Sequence, residues 1–263
     1  MDDDRSSTET AEAAESPDHG EGNPEALPRF GRSWLWLPAF IAVHIAGLLF
    51  YGVGYAAYLA LSDAPRRAEF ENLFAEHLMT PSGITGAYTV TAALVLLILL
   101  YAADFRQQPW QQTLALKTVP LKAYLPWLGL LVVYFLAAAA FNMVMSVEPG
   151  EFVESIAGTQ HLGLLVTMVV LAPVVEELVF RGYLYKAWRQ SLLGRWGTLL
   201  LTSVLFALLH AGQYDPILLW QLTVIGLLLG FAREKTGSVY VPIALHSLNN
   251  LVSWFFIVYL GLH

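Results

Sequence analysis

Three short runs set titratable and hydrogen-bonding groups inside stretches that are otherwise apolar. LAPVVEELVFRGYLY holds Glu176, Glu177 and Arg181; FALLH holds Phe206 and His210; HSLNN holds His246, Asn249 and Asn250. A carboxylate facing an imidazole can hold a water molecule and take its proton. Amide and imidazole N–H groups can stabilise the oxyanion formed when that water attacks a carbonyl. Together these are the parts of an amide hydrolase. Helical spacing divides the groups further. Glu177 and Arg181 stand four apart, on one face and able to pair, whereas Glu176 is turned about 100° away. Phe206 and His210 share a face, as do His246 and Asn250; Asn249 does not and reads as a packing or capping amide. Other routes to peptide hydrolysis lack their residues. The chain has no HExxH zinc motif, no GxGD aspartyl motif, no serine in the rhomboid setting and no cysteine.

The elements that must carry these groups are membrane spans. Of 263 residues, 56% are hydrophobic and only 13% charged, against roughly 25% charged in ordinary soluble domains; the mean hydropathy is +0.54. Apolar runs long enough to cross a bilayer fall at about 34–61, 87–103, 124–146, 162–185, 196–212, 216–232 and 239–261. The fold class is therefore all-α, a polytopic bundle of about seven spans covering residues 31–263. An acidic residue or Arg near the bilayer centre costs roughly 2.5–3.5 kcal/mol, so the three on the fourth run must face protein or water. At 1.5 Å per residue, Glu176 lies about 15 Å from its cytoplasmic end, His210 about 21 Å, His246 about 10 Å and Asn250 about 15 Å. Three helices thus deliver polar groups to one layer. Each group alone could be helix–helix glue, and His44 in the first run is read that way. Jointly they favour a buried polar site. Pro173 releases the Val169 carbonyl and is expected to bend the helix.

Charge sets the orientation. Of the 14 bases, 12 fall on segments that share one side, leaving Arg66 and Arg67 on the other, so the N-terminus is expected in the cytoplasm and the C-terminus outside. Residues 1–28 hold nine acids and Arg5; residues 1–30 read as a disordered acidic tail without the features of a signal peptide. The remaining body is nearly neutral, which excludes a nucleic-acid partner. Trp34, Trp36, Trp110, Trp127, Trp188 and Trp196 sit near span ends, as in an aromatic belt. Phe70, Leu73, Phe74 and Leu78 mark a short amphipathic helix capping the bundle, with Glu69, Glu71 and Glu76 on its polar face. Gly226 and Gly230 mark a close helix contact and nothing more.

EELVFR, FALLH and HSLNN resemble, in order and spacing, the EExxxR, FxxxH and HxxxN motifs of the CAAX-protease and bacteriocin-processing (CPBP) intramembrane endopeptidases, the type II CAAX prenyl endopeptidase group; Gly182 continues the family's FRG run. The resemblance covers about residues 120–263. It implies an endopeptidase with its site inside the membrane, in which Glu176 and His210 activate water, His246 and Asn250 form the oxyanion hole, and Glu177 and Arg181 order the site. It implies a peptide or protein substrate, prenylated or membrane-embedded, and the lipid bilayer as surroundings, with a bacterial plasma membrane as the expected location. No cofactor is required in this reading; if a metal is present, zinc on Glu176, His210 and His246 is the candidate. A proton-coupled transporter, or a catalytically silent immunity or scaffold protein, is the alternative, since relays also use buried carboxylates and histidines.

Overall fold

The computed structural model describes residues 30–62, 70–104, 108–147 and 150–260. The acidic tail, Arg66, Arg67, Glu69 and Arg106 lie outside the described residues. The rest is an all-α bundle, and the chain is an integral membrane protein. We number the main helices α1 (Trp36–Leu61), α2 (Phe70–Leu78), α3 (Pro81–Ala103), α4 (Leu125–Met145), α5 (Leu162–Trp188), α6 (Gly194–Leu208), α7 (Pro216–Thr236) and α8 (Tyr240–Ser253). Among the described residues, five helices are long and apolar enough to cross a membrane: α1, α3, α4 (counted from Leu121), α5 and α7. The helix α6 has 15 residues, and α8 continues as a π-helix over Trp254–Tyr259.

Local chemistry sets the boundaries. Thr80 caps α3 by accepting from the Gly83 amide at 3.1 Å, with Pro81 opening the first turn. Asp215 does the same for α7 through the Ile217 amide at 2.8 Å, ahead of Pro216. Gly237, at φ +67°, closes α7 in the left-handed conformation that glycine adopts without a Cβ penalty. The short helix α2 docks on α1 as a cap. Its Phe74 lies against Gly52, and His77 stacks on Tyr55 at 4.1 Å and shares a 2.8 Å hydrogen bond with Tyr51.

The helix α5 is the axis of the fold, packed by α3, α6, α7 and α8. Its second half is buried from Val179 to Tyr185. By contrast α4 turns most of its surface outward, with Leu131 its buried residue, and is a lipid-facing wall. Two expectations need correction. The fifth run does not stay helical to 212: α6 ends at Leu208, because Gly212 takes φ +85° and Asp215 and Pro216 already begin α7. Trp188 belongs to no interfacial belt. It is fully buried, stacked on Trp34 at 4.7 Å and donating to Ser33 Oγ at 2.8 Å.

Candidate active site

The backbone of α5 is what aims the carboxylates. Two π-helical stretches, Thr167–Leu171 and Leu178–Leu184, bracket the α-helical turn Ala172–Glu177. Such insertions recur at functional sites because they re-aim side chains. In the first of them the Ala172 amide donates to the Thr167 carbonyl, five residues back. The next carbonyl in that register is Met168, and its partner would be Pro173, which has no N–H. The orphan is therefore Met168 rather than Val169. Asn250 fills the gap, donating from Nδ2 to the Met168 carbonyl at 2.9 Å.

Glu177 and Arg181 pair as their spacing predicts, Nη1 donating to Oε1 at 2.9 Å, with both side chains wholly excluded from solvent. Two more contacts hold the guanidinium and a third holds the Arg181 backbone. Its Nη2 donates to the Gly226 carbonyl at 2.9 Å, it lies 4.7 Å over the Phe206 ring, and the Arg181 carbonyl accepts from Arg233 Nε at 3.0 Å. Gly226 is thus more than a helix contact. A Cβ there would meet Ser203 at 3.1 Å and Arg181 Nη2 at 3.2 Å, so its lack of a side chain lets the cation reach the backbone of α7.

His246 joins the two carboxylates. Its Nδ1 stands 2.9 Å from Glu177 Oε1, and its Nε2 lies 3.9 Å from Glu176 Oε2. A carboxylate bound to Arg181 can only accept, so Nδ1 carries a proton and Nε2 is the atom turned toward Glu176. His210 follows the same logic. It sits in the turn after α6 with Nδ1 3.0 Å from the Phe206 carbonyl; a carbonyl only accepts, so Nε2 is left with its lone pair. Phe206 packs against both imidazoles, with ring centres 5.1 Å from His210 and 5.5 Å from His246. That explains the aromatic residue in FALLH. Asn249 reaches only its neighbour, donating to Asn250 Oδ1 at 3.2 Å.

Like His210 and Asn250, Glu176 is left partly open, its side chain 17% exposed. Groups that sequence reasoning missed surround it. Tyr88 of α3 donates to Oε1 at 3.2 Å. Tyr214, in the turn after α6, has its hydroxyl pushed up to about 12, by burial first and then by the Glu176 charge, so it stays a neutral phenol. His44 is exposed and makes no hydrogen bond among the described residues, so it is not the helix–helix glue expected. Nothing in the sequence marks Tyr88, because it stands alone in an apolar run. Among the described residues no three His, Asp or Glu side chains gather as a metal-ion set. The hydrogen bonds of His246 to Glu177 and of His210 to Phe206 both use Nδ1, so Nε2 is the nitrogen through which each would hold a metal together with Glu176.

The comparisons bear on this arrangement directly. Residues 158–252 match the family described as type II CAAX prenyl endopeptidase Rce1-like. The Rce1-like segment contains all six candidate residues from Glu176 to Asn250 and is the family that the three motifs resemble; α1 and α3, with His44 and Tyr88, lie outside it. At family level the match supports a CAAX-type intramembrane protease. The chain is 27% identical over 127 residues to an uncharacterized 24.3 kDa protein of Escherichia coli, covering 46% of this chain and 58% of that one. It is 30% identical over 100 residues to the uncharacterized protein YpbD of Bacillus subtilis, covering 38% and 48%. The chain thus spans about half the length of these relatives. No solved structure matches it.

Proposed function

We propose that the protein is an intramembrane endopeptidase in which Glu176 and His210 activate a water molecule against a peptide carbonyl. The water donates one hydrogen bond to the free Nε2 of His210 and one to Glu176 Oε2, and Glu176 takes the proton as the oxygen attacks. The tetrahedral oxyanion accepts from His246 Nε2–H and from the second N–H of Asn250, the first being used on Met168. For Nε2 to donate, His246 must carry both ring protons. Two carboxylates then balance Arg181 and the imidazolium, leaving the buried cluster neutral. Collapse of the intermediate breaks the C–N bond, and the amine departs with the proton taken from water. Glu177 and Arg181 hold His246 in register.

The observation that carries this reading is the chain of contacts, none longer than 3.9 Å, from Arg181 through Glu177 and His246 to Glu176, in a layer of α5 and α8 that would otherwise be apolar. The substrate class follows from the site's depth: a peptide segment that enters from the bilayer, prenylated or itself membrane-embedded. The base distribution supports an N-terminus in the cytoplasm and a C-terminus outside, which reporters active in one compartment, fused at each end, would check.

The function is tested by reconstituting the purified protein in liposomes with membrane-anchored fluorogenic peptides and reading products by mass spectrometry. New termini that vanish in Glu176→Gln and His210→Ala support the peptidase. Proton-coupled solute uptake without cleavage would replace it with a transporter.

A further inference from the structure

Glu176 is held from one side by α3, a helix outside the Rce1-like segment. Tyr88 Oη donates to Oε1 at 3.2 Å, and on the other side Oε2 stops 3.9 Å short of His246 Nε2. That separation is too long for a direct hydrogen bond. A glutamate carboxylate is carried on three rotatable bonds, and in a low-dielectric interior it is drawn to the nearest cation. Arg181 already binds Glu177, so Nε2 of His246 is the donor within reach. If Glu176 closed onto His246, it would occupy Nε2, the donor that the oxyanion needs, and turn its own lone pair away from water.

We propose that Tyr88 is a positioning residue that tethers the Glu176 carboxylate and keeps it from collapsing onto His246. This role rests on the peptidase reading. Tyr88 suits the task because it is packed against the buried core, and its hydroxyl reaches Glu176. The other groups around Glu176 do not replace it. Among the described residues neither His44 nor Tyr214 makes a hydrogen bond to Glu176, whereas Tyr88 does. The first spans then contribute to the site as well as enclosing it.

Tyr88→Phe keeps the ring and removes the tether. Its turnover should fall about tenfold while KM stays within about twofold, because the tether acts on the base and not on substrate binding. In a Glu176→Asp background, where the shorter carboxylate no longer reaches Tyr88, the same change should have no further effect on turnover. A wild-type turnover in Tyr88→Phe, or an equal loss in both backgrounds, overturns the role. Thermal unfolding separates this from failure of the peptidase reading. Tyr88→Phe should lower the midpoint of the wild type by about 2–4 °C and leave that of Glu176→Ala unchanged. If the wild type cleaves nothing yet this coupling is present, the peptidase reading fails while the tether on Glu176 stands. If the coupling is absent, the tether is overturned whatever the activity.

Discussion

Among the described residues, two Arg–Glu bridges have the same length, 2.9 Å, in opposite surroundings. Arg181–Glu177 is wholly buried, whereas Arg189–Glu234 is 39% and 16% exposed. At the rim, Arg189 donates to both oxygens of Glu234 from Nε and Nη2, and Tyr185 hydroxyl also donates to that carboxylate. The bond to Glu234 raises the already high value of Arg189. By geometry the rim bridge is the better one. In the interior the guanidinium has instead a single carboxylate oxygen, a backbone carbonyl and an aromatic face. The difference teaches that distance does not set the worth of a bridge. Water solvates either half of the rim pair if the other is lost, while the interior pair has no such substitute. An arrangement so costly to assemble is best understood through what it holds, namely Nδ1 of His246.

The sharpest way to break the comparison is to remove one partner of each pair. Glu177→Gln or Arg181→Met should cost about 3–5 kcal/mol, because either strands a buried charge. Thermal or denaturant unfolding in detergent reads that loss. Replacing both at once, as Glu177→Leu with Arg181→Met, should cost less than either single change and still leave no cleavage, since His246 loses its orienting carboxylate. A double variant that cuts would show the pair to be scaffold alone.

Asn250 comes next. Losing one oxyanion donor lowers turnover about 10²–10³-fold with little change in KM. Its other bond makes Asn250→Ala structural too: the Met168 carbonyl is orphaned again, at about 1–3 kcal/mol. Asn250→Asp should be at least as damaging, since it sets an acceptor against that carbonyl and a negative charge beside the oxyanion. A zinc ligand would tolerate the carboxylate. Turnover of the wild type and the Asp variant with and without a strong chelator decides: an active, chelator-sensitive Asp variant would restore a metal role.

The smallest effect belongs to the rim. Arg189→Gln should change stability by about 0–1 kcal/mol, less in high salt, and leave cleavage at the wild-type rate.

How much of this was legible in the sequence depended on range. The Glu177–Arg181 pair lies within one helical turn, and its i,i+4 spacing predicted it directly. The convergence of three helices followed from depth arithmetic, which needs only the rise per residue. Contacts that depend on how helices rotate against each other were out of reach. The His246–Glu177 bond spans 69 residues and the Asn250–Met168 bond 82. Pro173 signalled a freed carbonyl but not which one, because the shift to π register moves the orphan from Val169 to Met168. The end of α6 was written in Gly212, Asp215 and Pro216, yet the apolar run through Leu209 masked it. Tyr88 gave no signal at all, since a tyrosine in an apolar helix is ordinary until its partner is known.

The central claim is that Glu176 does chemistry while Glu177 holds structure, although the two are adjacent in one helix. Measuring turnover and thermal midpoint together for Glu176→Gln and Glu177→Gln tests it most directly. The account predicts a split: Glu176→Gln keeps a near wild-type midpoint and cuts nothing, and Glu177→Gln loses both. Normal cleavage by Glu176→Gln, or an equal fall in the midpoints of the two variants, would contradict it.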